Sequence, residues 1–117
     1  MASFDSSEML EAIEFIEKGD YSTAFQVLTS PALGDNPKAQ CNLANLYHFG
    51  WGVSANGKKA VELYLRVARG NIREDHLSGL AYNNLATIYT TGLPGIDVDP
   101  EKAHQYLKQA RELGFEM

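Results

Sequence analysis

The chain is short of several things, and each shortage removes a class of function. It has one cysteine, Cys41. No intramolecular disulfide can form, which points to a reducing, cytoplasmic compartment. It has only ten lysines and arginines against fifteen acidic residues, a formal net charge of −5. No basic cluster exceeds the pair Lys58-Lys59, so a phosphate-reading surface for nucleic acid is not expected. The same shortage argues against anionic membrane surfaces. No apolar run approaches the roughly 20 residues that span a bilayer. The Met1-Ala2-Ser3-Phe4-Asp5 start lacks the basic-then-apolar pattern of a secretion signal.

Metal and catalytic motifs are also missing. His48, His76 and His104 are far apart and make no H-x-x-x-H or H-E-x-x-H pair, so no metal site or cofactor is expected. Neither a G-x-S-x-G elbow nor a G-K-[ST] phosphate loop occurs. Cys41 and His48 fall on one helical stretch, but two turns separate their backbones by roughly 10 Å. A thiol–imidazole pair needs direct hydrogen-bond reach, so the expectation is that the chain is not an enzyme. Glu11, Glu14 and Glu17, three apart, read as a solvated helix face.

What remains, in 117 residues with 44% hydrophobic content, is enough for one domain with its own core. The chain repeats itself, and the repeat sets the fold class. Ala39-x-x-x-Leu43-Ala44-x-x-Tyr47-x-x-Gly50 recurs 42 positions later as Ala81-x-x-x-Leu85-Ala86-x-x-Tyr89-x-x-Gly92. Lys59-Ala60-x-x-Leu63-Tyr64-x-x-Val67 recurs 43 positions later as Lys102-Ala103-x-x-Tyr106-Leu107-x-x-Ala110. Gly19-Asp20-Tyr21-x-x-Ala24-x-x-Val27-Leu28 is a further copy of that second half. The apolar period within each copy is helical, so three helix pairs are predicted, at about 5–35, 36–71 and 78–114, in a single all-α domain covering 1–117.

Local signals set the ends. Asn36-Pro37 and Asp99-Pro100 place a capping side chain before a proline in the first turn. Asp5-Ser6-Ser7-Glu8 has capping-box spacing, and Asp20 can cap a helix that begins at Tyr21. Glycines 19, 50, 70, 92 and 114 stand where helices should stop. The spacing from Gly70 to Ala81 exceeds that from Gly34 to Ala39. The insertion, around residues 71–78, either lengthens a helix or forms a loop. A further residue enters at Gly92-Leu93-Pro94-Gly95, where the earlier turn has Gly50-Trp51-Gly52.

These residues resemble the Sel-1-like repeat family, a branch of the tetratricopeptide-like α/α repeat proteins. Its approximate pattern, A-x-x-x-L-G-x-x-Y-x-x-G-x-G-V followed by an acidic cap and K-A, is met by Ala39, Leu43, Tyr47, Gly50, Gly52, Val53, Lys59, Ala60, Tyr64 and Ala68. Ala81, Leu85, Tyr89, Gly92, Asp99, Lys102, Ala103 and Ala110 meet it again. Ala44 and Ala86 replace the family glycine, and Asn56 stands near the acidic cap. The resemblance implies a short right-handed α/α solenoid whose first helices line a concave groove for a partner protein or peptide.

Groove residues follow from helical phase. With Leu43, Leu46 and Tyr47 turned to the paired helix, Cys41, Asn42, Asn45, His48 and Phe49 are left toward the inner or outer side. Asn83, Asn84, Thr87, Thr90 and Thr91 are their counterparts 42 positions later. A side-chain amide offers both donor and acceptor, which suits a peptide backbone; the alternative is that these are solvent-facing polar residues. The resemblance implies asparagines at such positions in tetratricopeptide-like grooves. On this reading, Asn45→Ala with Asn84→Ala weakens a partner and leaves the thermal melt unchanged. Trp51 is a second candidate, either a binding hot spot or a packing residue against a neighbouring repeat. Tyr82 is expected to pack on the middle repeat, and Phe4 and Phe115 to cover the solenoid ends. The functional expectation is a non-enzymatic protein-interaction module, the alternative being a dedicated inhibitor or immunity protein for a toxin domain. The −5 charge favours a basic partner.

Overall fold

The computed structural model describes residues 6–70 and 75–114. Six α-helices follow one another: α1 (Ser7–Glu17), α2 (Tyr21–Leu28), α3 (Pro37–Phe49), α4 (Gly57–Arg69), α5 (Asp75–Thr91) and α6 (Pro100–Glu112). They pack in the order α1/α2, α3/α4, α5/α6, each pair against the next. Among the described residues there is no strand, and Leu93 and Ile96 form an isolated antiparallel bridge. The result is a short all-α solenoid.

The helix starts are set by side chains that accept otherwise orphaned backbone N–H groups. Asp20 accepts from Thr23 N, Asn36 from Lys38 N and Ala39 N, Asn56 from Lys59 N, and Asp99 from Lys102 N. In α1 the cap is Ser6, which accepts from Met9 N. Gly50 and Gly92 end α3 and α5 with φ of +70° and +77°, a left-handed turn that glycine takes without a Cβ clash. The insertion extends a helix: α5 begins at Asp75 and is 17 residues long, whereas α3 is 13. The rest of the insertion, like Phe4 and Phe115, lies outside the described residues.

Two apolar clusters hold the pairs together. Met9, Ala12, Leu28, Leu33, Ala39 and Leu46 join α1 and α2 to one flank of α3. Leu33 comes from a 3-10 turn, Pro31–Leu33, that the sequence pattern did not announce. The larger cluster runs from Cys41 and Ala44 through Ala60, Leu63, Tyr64 and Val67 to Leu77, Ala81, Leu85 and Ile88. Ala44, Ala60 and Ala81 have essentially no exposed surface; small side chains there let helix axes approach.

Helix α3 thus buries two flanks. Ala39 and Leu46 lie in the α1/α2 cluster, and the half-buried Tyr47 meets Phe25 of α2 edge-on at 5.6 Å. Cys41, Ala44 and His48 are buried on the other flank, toward α4 and α5. As helical phase predicts, Tyr47 also packs against the cluster shared with the paired helix, whereas Cys41 and His48, which phase leaves on the inner or outer side, are buried against α4 and α5. A helix in the middle of a stack has neighbours on both sides, so one apolar stripe cannot fix its orientation.

The turns after α3 and after α5 fold back onto the start of the preceding second helix. After α3, Gly52 lies so close to Tyr21 that an added Cβ would stand 2.5 Å from its carbonyl carbon. After α5, Gly57 N–H donates to Pro94 O at 2.8 Å, and a Cβ on Gly57 would stand 2.7 Å from that oxygen. Tyr21 and Gly57 hold the same repeat position, three residues before Ala24 and Ala60. The glycine sits in the turn at the first contact and on the helix at the second.

Candidate functional site

The seven candidate residues separate into four environments. Asn42 turns back on its own helix, its Nδ2 donating to Lys38 O at 2.8 Å. Asn45, His48 and Asn84 converge on the Tyr64 hydroxyl. Tyr64 is wholly buried on α4 and donates to Asn45 Oδ1 at 2.5 Å. His48 Nδ1 is 3.3 Å from the same oxygen, and the Asn84 side chain hydrogen-bonds to it from α5. A phenol has one proton. With that proton given to Asn45, His48 faces the oxygen as an Nδ1–H donor, which sets its tautomer. Burial holds the Tyr64 phenol above its ordinary range and lowers the pKa of His48. This group ties three helices together through one hydroxyl.

Cys41 belongs to the same region and is buried. Burial pushes its thiol up to about 11, the opposite of the depression that makes a nucleophilic thiolate. Among the described residues no group of three His, Cys, Asp or Glu side chains is placed to hold a metal ion.

Trp51 lies in the third environment. Its ring stacks on Tyr21 at 5.0 Å and on Phe49 at 4.7 Å, and Phe49 stacks on His48 at 4.2 Å. Trp51 and Phe49 keep 42% and 54% of their surface exposed. Trp51 thus packs on the first repeat through Tyr21 and retains an open face. Phe49, which phase alone left unassigned, is its partner. Tyr82 is buried in the larger cluster and stacks on Tyr106 of α6 at 6.0 Å.

Asn83 and Thr87 occupy the fourth environment, an open groove of about 420 Å³ between α5 and α6. Asn83, Ala86, Thr87, Thr90 and Thr91 form one wall; Pro100, Ala103, His104 and Leu107 form the other. Thr87, Thr90 and Thr91 donate their hydroxyls to Asn83 O, Ala86 O and Thr87 O of their own helix. With the hydroxyl turned back, each threonine offers its methyl group to the groove. The wall is therefore more apolar than its composition suggests. Asn83 Oδ1 is buried in this wall and has no hydrogen-bond partner, an arrangement that costs about 1–3 kcal/mol when left unmet. The α6 half of the groove was not foreseen; Pro100 reads in the sequence as a helix start and Leu107 as a repeat residue, and with His104 they are brought to α5 only by the fold.

A family model described as Sel1 repeat matches residues 37–71 and 79–115. The fold is similar to that of a solved Sel1 repeat protein from Oxalobacter formigenes, at 28% sequence identity and a TM-score of 0.76. That likeness covers 95% of this chain and 41% of the other, so this chain spans about two-fifths of that protein's length. No curated protein matches the chain.

Proposed function

The chain belongs to the Sel1 repeat family, whose members are generally protein-interaction modules, and from that premise we propose that it is a non-enzymatic binder of a partner protein or peptide. The observation that carries this reading is the α5–α6 groove, an apolar-walled surface with an unmet buried acceptor, Asn83 Oδ1. Unpaired apolar surface beside a directed polar atom is the composition of a recognition site. Two of the candidate residues, Asn83 and Thr87, line it; Trp51 with Phe49 gives a second exposed apolar patch.

The same proposal assigns Cys41 no nucleophilic role, supported by a thiol that is buried and pushed up to about 11. It takes a basic partner and no nucleic acid, supported by fifteen acidic against ten basic residues. It places the chain in the cytoplasm, supported by the single cysteine. No described helix is long and apolar enough to cross a membrane. Neutralisation of a basic toxin domain would be the same recognition with a dedicated partner.

The test is affinity purification from the native cell, followed by titration of each co-purifying protein against the purified chain. A direct complex lost on substitution in the α5–α6 groove or at Trp51 is the expected result. Turnover of a substrate, lost on Cys41→Ala, would overturn the non-enzymatic reading.

A further inference from the structure

The two later repeats provide an internal comparison, because their positions correspond at offsets of 42 and 43 residues. The α5 wall of the open groove, Asn83, Ala86, Thr87 and Thr90, corresponds to Cys41, Ala44, Asn45 and His48 on α3. The α6 wall, Ala103, His104 and Leu107, corresponds to Ala60, Val61 and Tyr64 on α4. In the middle pair Cys41, Ala44, His48, Ala60, Val61 and Tyr64 are all buried. The burial comes with a helix: α5 packs across α3 and α4. It brings Leu77, Ala81, Leu85 and Ile88, each 8% exposed or less, into the shared core. Asn84 of α5 adds a hydrogen bond to the Tyr64 hydroxyl. In the last pair Thr87, Thr90 and His104 are exposed, and Asn83 and Leu107 are half-buried.

We infer that the α5–α6 groove is a socket for one amphipathic helix of a partner protein, which packs there as α5 packs on α3 and α4. The helix presents small and branched apolar side chains at the spacing of Leu77, Ala81, Leu85 and Ile88, and a donor to Asn83 Oδ1. Three observations meet in it. The groove continues, in register, an interface the molecule already makes. Its wall is apolar once the threonine hydroxyls are satisfied by their own helix. Its wall holds one buried acceptor without a partner, Asn83 Oδ1, which a docked helix satisfies once the amide turns out toward it. This is helix-in-groove recognition, and it rests on the interaction-module reading while narrowing it to one surface and one kind of partner.

The probe is a synthetic peptide with the sequence of residues 75–91, the helix that fills the equivalent socket, titrated into the full chain. Binding is read from chemical shifts, including the Asn83 side-chain amide. The expected result is saturable binding that moves the Asn83 signal. A peptide with aspartate at the positions of Leu85 and Ile88 should lose it. Thr87→Trp, which fills the groove from an exposed position, should weaken binding at least about tenfold, or ~1.4 kcal/mol; Thr90→Glu should do the same. Unchanged thermal melts would show that both variants fold. No binding at millimolar peptide, or equal binding by Thr87→Trp, overturns the socket. So does concentration-dependent self-association abolished by Thr87→Trp, which would seat a second copy there. A co-purified partner that binds Thr87→Trp at full strength removes the socket and leaves the interaction module standing, whereas the absence of any partner removes both.

Discussion

Tyr64 and Leu107 hold the same place on the second helices of successive repeats, 43 residues apart, yet Tyr64 is wholly buried and Leu107 only half-buried. The difference is one helix. Helix α5 covers the groove in which Tyr64 lies, and among the described residues no helix covers Leu107. The side that α5 buries on the middle pair is the side left open on the last.

The Tyr64 hydroxyl should matter to stability rather than to recognition. Asn45→Ala with Asn84→Ala removes its acceptor on α3 and its partner on α5. The hydroxyl then keeps only His48, and a buried donor that loses its acceptor costs about 1–3 kcal/mol. For a domain of this size that lowers Tm by roughly 4–8 °C per kcal/mol. The sequence alone had suggested no change in the melt; a circular dichroism melt of the double variant decides between the two.

The two turn-to-helix contacts tolerate no Cβ. Gly52→Ala adds an atom 2.5 Å from the Tyr21 backbone at a position with φ of +74°. Gly57→Ala adds one 2.7 Å from Pro94 O and would strain the Gly57 N–H bond to it. Each should destabilise by about 2–4 kcal/mol, measured by urea unfolding. Gly19→Ala is the control: its φ is +78° but nothing lies within 4 Å of an added Cβ, so it should cost about 1–2 kcal/mol, within the cost of backbone strain alone.

Stability should fall on mild acidification because of His48. Burial lowers its pKa in the folded chain, while the unfolded value is about 6.5. The unfolded chain then binds the proton first. The contribution is complete above the unfolded value and is lost as pH falls through the lowered folded one. Urea midpoints from pH 7.5 down to about 5 should decline, and His48→Gln should flatten the decline; an unchanged slope would remove His48 as its source.

Cys41 should be slow to modify. With its thiol buried and pushed up to about 11, almost no thiolate exists at pH 8, and reagent must wait for opening. Reaction with a disulfide reagent at pH 8 should run far slower than in urea. Fast labelling of the folded chain would show that α3 and α5 part readily.

The repeat was legible because it is local. Apolar residues at helical spacing, the Asn36-Pro37 and Asp99-Pro100 starts and the Gly50 and Gly92 stops are chemistry between residues a few positions apart. They determined six helices in three pairs, and nearly every cap fell where a polar side chain precedes the first turn. The amides were legible as residues but not as roles: Asn42 recurs 42 positions later as Asn84, yet Asn42 turns back on its own helix and Asn84, with Asn45, is directed at Tyr64.

Tertiary packing decided everything that depends on what covers what. The sequence gives Cys41, Asn45 and His48 much the same helical phase as Asn83, Thr87 and Thr90. Cys41 and His48 are buried and Asn45 half-buried, whereas Thr87 and Thr90 are exposed and Asn83 half-buried, because α5 lies over the first set. The residues 71–78 were ambiguous for a similar reason, since a helix extension and a loop can share a composition; at least from Asp75 the chain is helix. Helical order is written in neighbours along the chain. Burial is a property of neighbours across it, and that is why the candidate binding face appears only in three dimensions.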